Sequence, residues 1–167
     1  MTKVTPSGAA VFSVVAVLAI VLQESLLARL PLPGGDPNLL LVLVLGVALT
    51  AGASAGMATG FGTGLLADLS SAHPAGVLAL CFGLAGFLAG LLDADSRRSV
   101  VRPLLVVGIG AAGTYLSYVG LLALLHRPPA GGLADLPSTV LYDVMLTPFV
   151  VPVVAALARR LDPDARR

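Results

Sequence analysis

The chain has 167 residues, of which 57% are hydrophobic and 11% charged, and its mean hydropathy is +0.97. A water-soluble domain carries roughly a quarter charged residues, so this composition argues against one and for a surface that largely faces lipid. The net charge of +1, with no basic stripe interleaved with aromatics, argues against nucleic acid as a partner. Cys81 is the only cysteine, which excludes an intrachain disulfide and a thiol-pair metal site.

In chain order, the first apolar segment runs from about Gly8 to Leu27. Lys3 precedes it, as in a signal peptide. The apolar run is longer than a secretory core, and Gln23-Glu24-Ser25-Leu26-Leu27 offers no small-x-small cleavage site, so an uncleaved span is expected. Pro31-Leu32-Pro33-Gly34-Gly35-Asp36-Pro37 breaks any helix. Spans over 38–50 and 52–69 follow, then a turn at Ser70-Ser71-Ala72-His73-Pro74, a span over 75–92, and a polar loop at Asp93-Ala94-Asp95-Ser96-Arg97-Arg98. The last two spans cover 103–125 and 138–158, separated by a loop that begins at Arg127-Pro128-Pro129. The whole of 1–167 reads as a single polytopic membrane domain of about six helices, each near the length a bilayer requires. The pair between Asn38 and Leu69 is the exception. Its residues rise about 48 Å as helix, too long for one straight span and short for two.

Lys and Arg set the orientation. With six spans, Lys3, Arg97, Arg98, Arg102, Arg159, Arg160, Arg166 and Arg167 share one side, and only Arg29 and Arg127 lie on the other. The six-span topology therefore has both termini in the cytoplasm. Were 38–69 a single span, Lys3 and Arg29 would exchange sides, so the rule fixes the Arg97–Arg102 loop and the C-terminus as cytoplasmic but not the number of spans.

Gly52, Gly56, Gly60 and Gly64 recur every fourth residue, and Gly86 with Gly90 repeats the spacing. Residues four apart share a helix face, so these glycines form a stripe where another helix can approach backbone to backbone. Close packing inside the chain and a face for a partner both fit that stripe. Ionisable groups in or near spans mark candidate sites. Here they are Glu24, Asp68 and Asp143, with Gln23 alongside, all expected toward the outer face, where a polar cluster and separate carboxylates each reaching the interface both fit. Tyr115 and Tyr118 share a face of the fifth segment and are candidates to line an internal pocket. No zinc-protease, P-loop or nucleophile-elbow motif occurs, and the two histidines, His73 and His126, fall in loops. Gly60-Phe61-Gly62-Thr63-Gly64 lies inside an apolar helix and has neither a preceding strand nor a phosphate-binding lysine. No catalytic residue, metal or cofactor is expected.

Pro37-Asn38-Leu39-Leu40-Leu41, the small-residue middle from Gly56, and Gly60-Phe61-Gly62-Thr63-Gly64-Leu65-Leu66-Ala67-Asp68-Leu69 together resemble the central signature of the MreD family. Gly76, Ala79-Leu80, Tyr142-Asp143, Pro148 and the basic tail follow the same layout, although Asp143 stands where the family pattern leads one to expect an amide. The resemblance implies a non-enzymatic membrane scaffold of the cell-elongation machinery. Such a scaffold docks MreC and helps organise MreB, RodA and its transpeptidase partner during lateral peptidoglycan synthesis. It also implies an all-α fold similar to the substrate-binding subunits of energy-coupling-factor transporters, a cavity that could hold lipid, and a surface that allows a homodimer. The rival reading is a small-molecule-binding subunit of such a transporter. Against it, the first segment breaks the small-residue repeat after Ala9 and Ser13 at Val17, and the chain has no Trp.

Overall fold

The computed structural model describes residues 15, 17–23, 25, 32–70, 75–92, 101–128 and 132–161. Residues 17–23 are helical. They are followed by α1 (Leu39–Ala51), α2 (Ala53–Ser70), α3 (Val77–Leu91), α4 (Val101–Leu124), a single 3₁₀ turn (Leu133–Asp135) and α5 (Leu136–Leu161). No strand occurs among the described residues. The loop at 93–98 and both chain ends lie outside them.

At the centre is α1. Every residue from Leu39 to Leu49 is buried, as a helix apolar on all sides must be when it is surrounded by protein. Its 13 residues rise about 20 Å, well short of about 30 Å of hydrocarbon. Gly52 ends it with φ 87° and ψ −179°, a backbone conformation that side chains other than glycine's oppose. The chain then folds back, and α2 lies beside α1 with Gly56 against Ala48. The stretch between Asn38 and Leu69 is thus two helices joined at one glycine, rather than one long helix.

On α2 the usual distribution of a soluble protein is inverted. The buried positions of α2 are Gly56, Gly60, Thr63, Gly64 and Asp68, whereas Met57, Phe61, Leu65, Leu66 and Leu69 are exposed. On α3, Leu80, Leu84, Phe87, Leu88 and Leu91 face out, and on α5, Leu141, Met145, Phe149 and Val153 do. Leu69 and Ile109 are each 72% exposed and Phe149 73%. Large apolar side chains outside and small ones between helices is the arrangement expected in lipid, where tails are as apolar as leucine and close packing replaces the hydrophobic drive. Two helical stretches, Val101–Leu124 and Leu133–Arg160, are long and apolar enough to cross a membrane. Of an apolar 18-residue window in each, only 22% and 17% is buried, unlike the mostly buried core helix of a soluble fold.

Pairwise contacts fix the helix directions. Gly56 meets Gly86 while Gly64 meets Ala79, so α2 and α3 run antiparallel. Asn38 meets Asp143 while Gly46 meets Val151 and Val154, so α1 and α5 run parallel. Tyr115, near the end of α4, reaches Gly132 at the entry to α5. One end of the bundle therefore gathers the starts of α1, α3 and α5 with the ends of α2 and α4.

Candidate functional site

Polar groups converge on the head of α1. Asn38 is its N-cap, with Oδ1 accepting from Leu41 N–H at 3.1 Å, the usual way an Asx side chain satisfies a first-turn donor. The Oδ1 atom of Asp143 accepts from Asn38 N–H at 2.6 Å, and Oε1 of Gln23 accepts from Leu40 N–H at 3.2 Å. Three segments thus supply acceptors to one helix start, where the orphan N–H groups and the helix dipole both favour oxygen and negative charge. Asp143 is 0% exposed, and its second oxygen, Oδ2, has no hydrogen-bond partner. Thr147 Oγ donates to the Asp143 carbonyl at 2.9 Å, one turn along α5.

The turn leading into α1 is held to α5 by further bonds. Gly34 and Gly35 take positive φ (79° and 143°), with Ser138 and Thr139 hydroxyls packed where their Cβ atoms would lie. The Ser138 hydroxyl donates to the Gly34 carbonyl, and the Tyr142 hydroxyl donates to that of Pro33 at 3.1 Å.

Asp68 performs a matching task at the start of α3. It is 3% exposed. Its Oδ2 accepts from Gly76 N–H at 2.7 Å and Ala79 N–H at 3.2 Å, and its Oδ1 accepts from Leu78 N–H at 3.2 Å. Gly76 precedes α3 and has no side chain with which to cap it, so the carboxylate arrives from the neighbouring helix instead. Behind Asp68 runs the glycine seam. A Cβ on Gly60 would lie 2.3 Å from the Phe82 carbonyl oxygen, one on Gly56 2.5 Å from that of Gly86, and one on Gly64 2.6 Å from Ala79 Cα. From the other side, a Cβ on Gly90 would lie 2.4 Å from Ala53 Cα and 2.6 Å from the Gly52 carbonyl carbon. The stripe faces α3 backbone to backbone, so within this chain it is covered.

The structure therefore gives Asp68 and Asp143 separate duties, each at a different helix start. Glu24 lies outside the described residues, and its neighbour Gln23 supplies the third acceptor at α1. Tyr115 donates to the Gly132 carbonyl at 2.9 Å and so reaches toward the loop, while Tyr118 packs against the core. Asn38, Ser138 and Tyr142 were missed as site residues. An amide just before an apolar run is the N-cap signal that could have flagged Asn38. Nothing in sequence spacing points to a bond between residues 105 apart. Among the described residues no group of three or more His, Cys, Asp or Glu side chains could hold a metal ion.

No curated protein and no solved structure matches the chain. The family model for the rod shape-determining protein MreD matches residues 8–127, well over half of the sequence. That stretch contains the glycine seam, the Asp68 cap and all of α1 to α4. The chain belongs to the MreD family of rod shape-determining membrane proteins.

Proposed function

We propose that this protein is a non-enzymatic, multi-pass scaffold of the inner membrane that docks MreC and helps organise lateral peptidoglycan synthesis. The observation that carries this reading is the division of labour in the bundle. Its buried carboxylates, Asp68 and Asp143, accept from backbone N–H groups at helix starts, while the outward faces of α2 to α5 are large, apolar and available to other membrane helices. Docking in lipid needs such a surface, since van der Waals packing supplies most of the affinity between helices there. MreB, RodA and its transpeptidase partner would be organised through the same assembly, and a second copy of the chain is a further candidate for an apolar face. The likeness to energy-coupling-factor subunits enters this proposal on the family resemblance alone.

The orientation proposed from Lys and Arg places both termini in the cytoplasm. Arg102, Arg159 and Arg160 lie at one end of the bundle, with Arg102 Nη2 donating to the Leu92 carbonyl at 3.0 Å. Arg127 lies at the opposite end, beside the heads of α1, α3 and α5. On the positive-inside rule the former end is cytoplasmic.

The test is a pull-down of the tagged chain from solubilised membranes, with partners identified by mass spectrometry. Recovery of an MreC-like single-span protein is expected. Recovery of ATPase and coupling subunits without wall-synthesis proteins would replace the scaffold with a transporter subunit.

A further inference from the structure

The helices that face outward differ in reach. On α4, exposed apolar side chains run from Val101 to Leu125, a rise of about 36 Å. On α5 and the turn before it they run from Leu133 to Val153, about 30 Å. On α2 they run only from Met57 to Leu69, and on α3 from Leu80 to Leu92, about 18 Å in each case. Polar residues close this lower belt at both ends. Exposed Ser54 and Ser70 flank the run on α2, and in the sequence His73-Pro74 precedes α3 and Asp93-Ala94-Asp95 follows it. The two short rows adjoin, because a Cβ on Gly83 of α3 would lie 3.5 Å from Phe61 Cβ on α2. While α2 packs on α3 and α1, α4 packs along α5. The bundle therefore has a low side and a tall side.

The hydrocarbon core of a bilayer is about 30 Å thick. A helix longer than that fits by tilting, which brings α4 and α5 down to the available height. Tilt cannot raise a short helix. Submerging the low side in hydrocarbon of full thickness would leave the helix ends and their flanking loops without water for their backbone groups. Compressing the neighbouring acyl chains costs only a modest amount per ångström. We infer that the α2–α3 face binds lipid of short hydrocarbon reach and thins the bilayer beside it, while the α4–α5 face takes lipid of ordinary thickness. This inference stands on helix lengths and outward residues, and is independent of which protein the scaffold docks.

The chain has no Trp, so a single one placed outward reports on one face. Phe61→Trp lies on the low side and Phe149→Trp on the tall side, and both parent side chains are exposed. Each purified full-length variant is reconstituted in mixtures of dimyristoleoyl phosphatidylcholine with dioleoyl phosphatidylcholine brominated across its double bonds. Quenching of the Trp by the brominated lipid gives the relative affinity of that face for the two chain lengths. At Phe61→Trp the shorter lipid is expected to be preferred about threefold or more. At Phe149→Trp no such preference, or the reverse, is expected. Equal preferences at the two positions overturn the inference, as does a preference for the longer chains at Phe61→Trp. Failure of the pure brominated lipid to quench Phe61→Trp overturns it too, since protein, in the form of a second copy, would then cover the low side.

Discussion

The α2–α3 seam and the α1–α5 joint hold the same bundle by opposite means. At the seam, glycines remove the side chains and let two backbones touch, so its energy is dispersion over close contacts. At the joint, side chains cross between segments distant in sequence and end on backbone N–H groups, so its energy is hydrogen bonding to an otherwise unsatisfied helix start. A seam made by absence tolerates no addition. A joint made of several bonds tolerates losing one. The comparison teaches that in this chain steric intolerance and polar loss should rank apart, and substitutions can test the ranking.

The largest effect is expected for Gly60→Leu. The atoms in the way are the backbone carbonyl of Phe82, which cannot yield without separating the helices. A loss of about 3 kcal/mol or more, or failure to fold, should appear in thermal unfolding of the purified chain. Tolerance of this change would mean that α2 and α3 are not held as closely as described. Next is Asp68→Ala, which strips the start of α3 of the acceptor for Gly76, Leu78 and Ala79 N–H and should cost about 1–3 kcal/mol in the same assay. Asp68→Asn keeps one oxygen and should recover part of that loss, an outcome that separates capping from mere volume.

A smaller change is expected at the other joint. Asn38→Ala removes the N-cap acceptor of Leu41 but leaves the bonds from Asp143 and Gln23 in place, for a loss of about 1 kcal/mol. A loss as large as that of Asp68→Ala would show that the joint is no more redundant than the α3 cap. The smallest effect is at Gly62, two residues from the seam's tightest point, where a Cβ meets nothing within 4 Å. Gly62→Ala should be neutral or add up to about 1 kcal/mol, because alanine orders a helix at less entropic cost than glycine. Destabilisation there would mean that the outer face of α2 is already covered by a partner.

Much of this architecture is legible in the residues. The apolar runs and the Pro-Gly break at 31–37 follow from composition and local chemistry, which act over a few positions. The four-residue glycine spacing shows that α2 has a close-packing face, and the proximity of Asp68 to a helix end marks it as an anchor. Local chemistry is silent on what each face meets. Asp143 and Tyr142 look like ordinary residues at the start of a span until α5 is laid beside the 33–38 turn, because their partners lie more than 100 residues away.

That division has a physical cause. Hydropathy is a sum over side chains and survives any rearrangement of the helices, so membrane character and the existence of a glycine face were decided before folding, whereas the division of 38–69 into two helices was not. Burial of α1 on every side, the direction of the glycine stripe toward α3, and the assignment of two carboxylates to two helix starts depend on which segments become neighbours. In a chain whose helices are nearly all equally apolar, hydropathy cannot rank those pairings. Steric fit at the glycines and the demand of unpaired backbone N–H groups rank them, and both take effect only once the helices are assembled.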